Sequence, residues 1–466
     1  MTDYEQETIV AIATPPGQGG IGVIRLSGPS AADILAACQN IPLAEQQQRQ
    51  ARRLYLHDIF DEQGRLIDRA LTVFMPGPAS YTGEDVAEIQ CHGGTQALSQ
   101  ILAAALAHGA RLAQAGEFSL RAFLNGKIDL SQAEAIGDLV AAKTAAGARN
   151  AAGQLAGRLG RHIAKLESRL TAVQAAITAA VDFPDEVDEP QNRQMAEELT
   201  AVAGDVQALL DKAPAGQILR QGLGVALAGP VNAGKSSLLN QILGFDRAIV
   251  TDCPGTTRDM LEEYIDLDGL PLLLRDTAGL RRGADISEPE RIGMDKSRDA
   301  LERSQIVLLV ADLTDPAFSR EHILPLAAAC AGHSLLVLNK RDAAAERLPA
   351  AIACYAGDFA GEDILPISAK TGQGMPELLA RLKEKAGGAR LWQEEDGLLV
   401  NARQRQALQL AAGHIREALA GLEQALPQDL ITIDLEAALT ALAAISGRDV
   451  GEEVLNDIFR NFCVGK

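Results

Sequence analysis

The sequence is short of aromatic residues, has no long apolar run and contains no paired cysteines. No stretch of roughly 18 consecutive apolar residues occurs, so no membrane-spanning helix is predicted. Aromatic residues make up 3% of the chain, too few for an extended base-stacking platform. The six cysteines form no C-x-x-C pair, so the pattern predicts neither a zinc site nor a disulfide framework and fits the reducing cytoplasm.

The chain also lacks an excess of positive charge. It has 62 acidic and 43 basic residues, for a net charge of −19. A protein that binds nucleic acid over a wide surface is usually basic, so we expect any RNA contact to be local or shared with a partner. The acidic residues near the N-terminus do not fit the basic start of a secretory signal peptide.

Composition divides the 466 residues into zones that predict a multidomain protein. Residues 1–125 mix short β-rich runs with helices, as an α+β domain does. Residues 126–218 and 390–466 are rich in alanine and leucine at helical spacing, which predicts one discontinuous all-α domain. Residues 219–388 alternate strand-like runs with helices, which predicts an inserted α/β domain with a doubly wound parallel sheet.

Two local predictions fall in the helical zone. Residues 151–180 have the spacing of one helix. Ser131 and Glu134 fit a capping box at the start of another.

Residues 229–236 read Gly-Pro-Val-Asn-Ala-Gly-Lys-Ser and fit the phosphate-binding pattern G-x-x-x-x-G-K-[ST]. The apolar run Gly224–Ala228 precedes the loop, and Ser236–Leu243 has the spacing of a helix start. In such a loop, backbone N–H groups and the helix N-terminus surround the phosphates. Lys235 then reaches the β- and γ-phosphates, and the Ser236 hydroxyl binds Mg²⁺. A glycine-rich turn with a surface lysine is the alternative.

Further motifs exclude that alternative and predict GTP as the nucleotide. Asp276-Thr277-Ala278-Gly279 follows an apolar run, where the carboxylate can hold Mg²⁺ through water. Asn339-Lys340-Arg341-Asp342 follows another such run, and its last carboxylate can accept hydrogen bonds from guanine N1–H and the 2-amino group. Adenine has neither donor, and its binding would leave Asp342 buried and unpaired. Ser368-Ala369-Lys370 can contact guanine O6 through a backbone amide.

The segment Gly255-Thr256-Thr257-Arg258-Asp259 lies between these motifs, and Thr257 is placed to close on Mg²⁺ and the γ-phosphate as a switch threonine. Many signalling GTPases have a glutamine after Asp-x-x-Gly to orient the attacking water, but this chain has Leu280 there. Glu290 is the candidate replacement. The alternative is that Glu290 is a solvated charge on an acidic loop.

With these motifs in place, the whole chain resembles the MnmE (TrmE) family of tRNA modification GTPases. The resemblance rests on four blocks outside the GTPase motifs, which are residues 8–28, 80–94, 116–130 and the C-terminal Cys463-Val464-Gly465-Lys466. It implies an N-terminal folate-binding domain that dimerises, a helical domain and an inserted G domain. It also implies a heterotetramer with the flavoprotein MnmG.

The reaction that the resemblance implies is carboxymethylaminomethylation at C5 of the wobble uridine (U34) of certain tRNAs. The implied one-carbon donor is 5-formyltetrahydrofolate or a related tetrahydrofolate. Four residues match the family's folate contacts in position: Arg25, Glu88, Lys127 and Lys466. A carboxylate suits the amide and amidine edge of a pterin, and cations suit the glutamate tail.

The resemblance also implies a potassium ion beside the phosphates. Its ligands would be Asn232 and the backbone carbonyls of Thr251, Cys253 and Thr256, and Glu290 matches the family's catalytic carboxylate. Mg²⁺ would be held by Ser236 and Thr257, and the catalytic set would be Glu290, Asn232, Lys235 and Thr257. The complete expected GTP site is Asn232, Ala233, Gly234, Lys235, Ser236, Ser237, Thr251, Asp252, Cys253, Pro254, Gly255, Thr256, Thr257, Asp276, Thr277, Ala278, Gly279, Asn339, Lys340, Asp342, Ser368, Ala369 and Lys370.

Two other functions stay open at this point. A regulatory GTPase that acts on a ribosomal or protein complex, without substrate chemistry of its own, would share every GTPase motif but would not need the folate residues. An ATP-dependent machine is a weaker alternative, because Asn339-Lys340-x-Asp342 favours guanine.

Overall fold

A computed structural model describes residues 7–183, 185–186, 190–245, 262–276, 304–330, 333–387, 398–460, 462–463 and 465. By its internal contacts the chain forms two compact units. The first comprises residues 1–137, 154–191 and 420–466, and the second comprises residues 138–153 and 192–419. Among the described residues, no helix is both long enough and apolar enough to cross a membrane.

The first unit contains a six-stranded sheet with the order β3-β4-β5-β2-β1-β6. Its neighbours pair antiparallel except β1 and β6, which are parallel. The strands are β1 Ile9–Ile12, β2 Ile21–Ser27, β3 Tyr55–Phe60, β4 Leu66–Met75, β5 Val86–His92 and β6 Arg111–Leu112. The accompanying helices are α1 Ala31–Cys38, α2 Leu43–Gln48, α3 Thr95–Ala107 and α4 Glu117–Leu124.

Side chains of β5 alternate between the two faces of this sheet. Ala87, Ile89 and Cys91 belong to a buried core that also contains residues of α1 and α3. Glu88 and Gln90 therefore lie on the opposite face, because the side-chain period of a strand is two. That opposite face carries one of the predicted binding residues.

Three further helices of the first unit lie outside the sheet region: α7 Arg158–Asp182, α15 Gln428–Ser446 and α16 Glu452–Arg460. Helix α7 packs along α15.

The prediction of one helix over residues 151–180 is wrong, because α6 (Ala145–Leu155) ends before Gly157. Gly157 has a φ of 74°, a left-handed conformation that separates α6 from α7.

The predicted capping box at Ser131 and Glu134 is also wrong. Helix α5 (Leu130–Ala141) starts two residues earlier than a box capped by Ser131 would place it. The Asp129 carboxylate accepts a hydrogen bond from the Gln132 N–H at 2.8 Å, and the Gln132 side-chain oxygen accepts one from the Asp129 N–H at 2.9 Å. The reciprocal pair that defines the helix start is therefore Asp129 and Gln132.

The second unit contains the predicted α/β sheet, with the strand order β12-β11-β10-β7-β9-β8. All neighbours are parallel except β8 and β9. The strands are β7 Leu223–Ala228, β8 Glu262–Leu267, β9 Leu270–Asp276, β10 Ile306–Asp312, β11 Ser334–Asn339 and β12 Ile364–Pro366. Every residue of β7 and β11 is buried, as expected for a sheet covered on both faces.

The α-helices of the second unit, besides α6, are α8 Asn192–Gln221, α9 Lys235–Phe245, α10 Arg320–Ala329, α11 Arg341–Ala344, α12 Leu348–Tyr355, α13 Met375–Lys385 and α14 Ala402–Glu423. Single 3-10 turns occupy residues 345–347 and 361–363. The strand order reverses at β7, which lies between β9 and β10, so this sheet has a topological switch point. Ligands of doubly wound sheets bind outside the carboxyl ends of the strands at such a point.

Candidate nucleotide-binding site

The phosphate loop connects β7 to α9, and its backbone leaves no room for side chains at two glycines. Gly229 and Gly234 have φ values of 144° and 94°. A Cβ atom built on Gly229 would overlap the Val310 carbonyl oxygen, and one built on Gly234 would overlap the Asn339 amide nitrogen. Asn232 also has a positive φ, of 65°, and its side chain is exposed. The loop therefore has the conformation in which backbone N–H groups can crowd around an anion.

Lys235 is the first residue of α9, and its ammonium group folds back over the phosphate loop. Its Nζ donates hydrogen bonds to the carbonyl oxygens of Gly229 and Pro230, each at 2.8 Å. Ser236 follows within the first helical turn and is half-buried. The N-terminal N–H groups of α9 and the Lys235 charge thus favour an anion at this loop.

Asn339, at the end of β11, joins the phosphate loop to the loop after β12. Its Nδ2 donates to the Ala233 carbonyl at 2.8 Å, and its Oδ1 accepts from the Ala369 N–H at 3.0 Å. Asn339 is 2% exposed, and both of its partner residues are buried. Two predicted loops that are far apart in sequence are therefore held together by one amide side chain.

Asp342 and Ser368, which the sequence predicts to contact the guanine base, also lie next to each other. The Ser368 hydroxyl donates to Asp342 Oδ1 at 2.6 Å and accepts from the Thr371 N–H at 3.2 Å. Ser368 is fully buried, whereas Asp342 is exposed. The carboxylate is thus oriented by a buried hydroxyl while it stays open to a base.

The sequence reasoning missed Asp312, at the end of β10. Its Oδ2 accepts from Lys340 Nζ at 2.6 Å, and its Oδ1 accepts from the Thr314 N–H and hydroxyl. Burial raises the pKa of Asp312, but the hydrogen bonds from Lys340 and Thr314 outweigh burial and lower that pKa below its ordinary value. The available signal was a carboxylate directly after the buried run 306–311, the same signal that identified Asp276.

Register places these residues at one edge of the sheet. Asp276 lies beside Leu227 at the end of β7, and Asp312 lies beside Asn339. The remaining nucleotide-site predictions fall outside the described residues: Thr251, Asp252, Cys253, Pro254, Gly255, Thr256, Thr257, Thr277, Ala278, Gly279 and Glu290. Asp276 is described by its backbone only, while Ser237 lies exposed in the first turn of α9 and Lys370 lies exposed in the loop after β12.

The first unit brings Arg25 and Glu88 together on neighbouring strands. They are directly opposite each other on β2 and β5, and Arg25 Nε lies 2.9 Å from Glu88 Oε1. The Arg25 guanidinium carbon also lies 5.4 Å from the centroid of the Tyr81 ring and 5.9 Å from that of Phe118. The Arg25 and Glu88 side chains are still 24% and 16% exposed, so each can exchange its internal partner for a planar polar ligand.

Lys127 is connected to the same region through the loop that carries Tyr81. Its Nζ donates to the Pro78 carbonyl at 2.9 Å, and its side chain lies against Gly83. Lys466, the fourth predicted folate residue, lies outside the described residues.

A buried charge network that the sequence reasoning missed holds this loop. Arg121 is 2% exposed and donates to Glu84 and Glu117. Glu84 in turn accepts from the Ser27 hydroxyl at 2.6 Å. Burial raises the pKa of Glu117, but hydrogen bonds from Arg111 and Arg121 outweigh burial and lower it below its ordinary value. Only Glu117 and Arg121 share a sequence pattern, the i,i+4 spacing within α4, and the other members come from separate segments.

Comparison with known proteins matches both units. The family model described as "GTP-binding protein TrmE N-terminus" matches residues 8–127, and the one described as "MnmE helical domain" matches residues 130–463. The curated "tRNA modification GTPase MnmE" of Heliobacterium modesticaldum is 41% identical over 471 residues, covering 99% of both chains. The proteins of the same description from Roseiflexus sp. and Synechococcus elongatus are 43% and 41% identical, covering 99% and 100% of both chains.

Solved structures match a smaller share of the chain. The G domain of the T. maritima FeoB iron transporter is 28% identical and covers 35% of this chain and 95% of its own, with a TM-score of 0.25. The predicted fold class is confirmed by the family models and the two sheets. The predicted domain boundaries stay predictions.

Proposed function

Because the chain belongs to the MnmE family of tRNA modification GTPases, we propose that it acts with the flavoprotein MnmG on the wobble uridine (U34) of certain tRNAs. In this proposal the pair adds a carboxymethylaminomethyl group at C5, with a tetrahydrofolate as the one-carbon donor. The chain works as a homodimer within a heterotetramer with MnmG, and its tRNA substrate places the reaction in the cytoplasm.

The Arg25–Glu88 pair is the observation that carries the folate part of the proposal. A purely structural ion pair on a sheet surface contributes little to stability. Here the Arg25 guanidinium lies close to the rings of Tyr81 and Phe118, and the neighbouring loop is anchored by buried charges. These groups fit a folate, because a carboxylate can accept from the N–H edge of a pterin and cations can bind its glutamate tail. Lys127 and Lys466 would supply the cations.

The nucleotide part of the proposal starts from GTP as the substrate. Ser236 at the start of α9 offers a hydroxyl oxygen, a ligand that Mg²⁺ accepts, and Thr257 would complete the protein's share. Asn232 holds an exposed amide oxygen at the turn of the phosphate loop, where a K⁺ ligand would be needed. A monovalent cation supplies positive charge that an arginine supplies in other GTPases.

Glu290 is the proposed residue that orients the attacking water. In that role it acts on hydrolysis more than on GTP binding, so Glu290→Ala should lower kcat and leave GTP affinity nearly unchanged. Single-turnover hydrolysis together with equilibrium GTP binding measures both quantities. Unchanged turnover would remove Glu290 from the mechanism.

Folate binding distinguishes the proposed function from that of a switch GTPase without substrate chemistry. Equilibrium binding of 5-formyltetrahydrofolate should be readily measured for the wild-type chain and weakened at least about 100-fold by Glu88→Ala, because a buried charged hydrogen bond is lost. Glu62→Ala, at an exposed turn of the same unit, is the matched control and should bind normally. A wild-type chain with no folate affinity would favour the switch.

Potassium dependence is tested separately. GTP hydrolysis should be much faster in K⁺ than in Na⁺, and Asn232→Ala should largely remove that difference. Asn40 is also an exposed asparagine with a positive φ, of 53°, so Asn40→Ala controls for backbone effects. Equal wild-type rates in the two salts would contradict the cation site.

A further inference from the structure

The first three turns of α7 carry a row of basic side chains, which we call the basic stripe. Its members are spaced i, i+3, i+4, i+7 and i+11, which places them within about 100° of one another around a helix. All are exposed or half-exposed. The basic stripe consists of Arg158, Arg161, His162, Lys165 and Arg169.

Helix geometry alone does not explain this charge. Cations are unfavourable at a helix N-terminus, because the macrodipole is positive there. Helix α7 begins with Arg158 and has no acidic residue in its first turn, a lack that it shares with α3, α5, α6, α8 and α9. The second half of α7, residues 170–182, contains no lysine or arginine. The basic residues are therefore concentrated in the half of α7 where the macrodipole opposes them.

The opposite side of α7 fixes the basic stripe in place. Leu159, Ile163 and Leu166 are buried, and α7 packs along α15. Glu167, the one acidic residue in this half, lies half a turn away from Lys165 and bonds to Arg448 of the same unit. Arg161 donates to the neutral carbonyl of Ala156 at 2.7 Å. The basic stripe is therefore presented by an anchored helix.

We propose that the basic stripe binds the phosphate backbone of the tRNA substrate. This inference rests on the tRNA substrate of the proposed function and adds the surface that holds it. Two properties of the chain favour RNA backbone as the occupant. The net charge of −19 repels a polyanion, so contact must be made at local cationic surfaces. The small share of aromatic residues favours phosphate contacts over base stacking.

The dimensions of the basic stripe also suit a row of phosphates. Eleven residues of helix span about 16 Å, at a rise of about 1.5 Å per residue. That length allows several cations to contact successive phosphates of one strand. Phosphate contacts position an RNA without reading its sequence, so the basic stripe should not discriminate between tRNAs.

The test compares two double variants of the full-length chain in tRNA binding. R161Q/K165Q removes two charges from the basic stripe, and R65Q/R193Q removes two charges from exposed ion pairs elsewhere. Fluorescence anisotropy with an unmodified tRNA transcript is measured from 50 to 300 mM KCl. We expect R161Q/K165Q to bind about tenfold more weakly and to lower the slope of log K against log[KCl] by about 1.5, because each lost phosphate contact removes roughly 0.7 to 0.9. The control should match the wild type.

Thermal midpoints show whether both variants are folded. A second measurement leaves every charge in place and uses a photo-crosslinking residue. At Ser168, an exposed position on the flank of the basic stripe, this residue should crosslink to tRNA. At the exposed Ser99 it should not.

Four results would overturn the proposal. The first is unchanged affinity and slope in R161Q/K165Q, and the second is equal weakening in the control. The third is loss of tRNA modification with intact tRNA binding, which would assign the basic stripe to an acidic protein partner. A wild-type chain that binds no tRNA would also overturn it, while folate binding would show separately whether the proposed function survives.

Discussion

The nucleotide site of the second unit and the Arg25–Glu88 site of the first unit are built in opposite ways. The nucleotide site relies on backbone groups in loops after parallel strands, held by Asn339. The Arg25–Glu88 site relies on side chains projecting from antiparallel strands, beside a loop held by a buried ion network. A site formed by backbone groups should be disrupted by any added side chain. A site formed by side chains should instead be disrupted by loss of the charges that position those side chains.

The largest expected effect is in the first unit, where removal of Arg121 should show how far that site depends on buried charge. Arg121→Met leaves Glu84 without its cation and Glu117 with Arg111 alone, which should cost about 3–5 kcal/mol of unfolding free energy. Urea unfolding measures the cost. The control is Arg65→Met, because Arg65 is 76% exposed in its ion pair with Asp61 and should change stability by less than about 1 kcal/mol. A small loss of unfolding free energy in Arg121→Met would contradict the claim that the site of the first unit depends on buried charge.

The next effect is in the second unit, where one methyl group should be enough to damage the site. Gly234→Ala places a Cβ on the Asn339 amide at a φ of 94°, so the phosphate loop must move. We expect GTP affinity to fall at least about 100-fold, as measured with a fluorescent GTP analogue. Gly244→Ala is the control, since a Cβ there meets open space in α9 and should leave GTP binding unchanged. Tight GTP binding by Gly234→Ala would show that the loop tolerates side chains.

The sequence revealed the nucleotide site directly, but it revealed the Arg25–Glu88 site only through the family resemblance. The way in which each site is built explains this difference. Phosphate binding needs glycines, a lysine and a helix start in one continuous segment, so residues 229–236 could be recognised directly. Arg25 and Glu88 are 63 positions apart, and only the family resemblance marked them. The link from Arg121 to Glu84 could not be predicted, because strand pairing and the position of α4 decide which distant residues meet.

Local predictions failed where several residues satisfied the same rule. Asp129 and Ser131 are both good helix caps, and the tertiary structure starts α5 at Leu130. The break at Gly157 was hidden by the helical residues on both sides of it. Asp312 could have been predicted from its place after a buried strand, but no nucleotide-binding motif includes it.

The smallest expected effect concerns pH. The folded-state pKa of Asp312 is lowered, so its contribution to stability is present above the unfolded pKa near 4 and is lost as pH falls through the folded pKa. Asp312→Asn should therefore destabilise the chain by on the order of 1 kcal/mol or less at pH 6 and by less at pH 3. Urea midpoints at the two pH values check the sign. A difference that grows on acidification would show that the Lys340 contact does not stabilise the carboxylate.

Mass spectrometry of tRNA nucleosides tests most directly whether both sites serve one reaction. A strain that lacks this gene is complemented with the wild-type chain, Glu88→Ala or Gly234→Ala. The proposed function predicts that the modified wobble uridine is restored by the wild type alone and is absent with either variant. Full modification with a stably expressed Glu88→Ala chain would contradict the claim that the first unit holds the carbon donor.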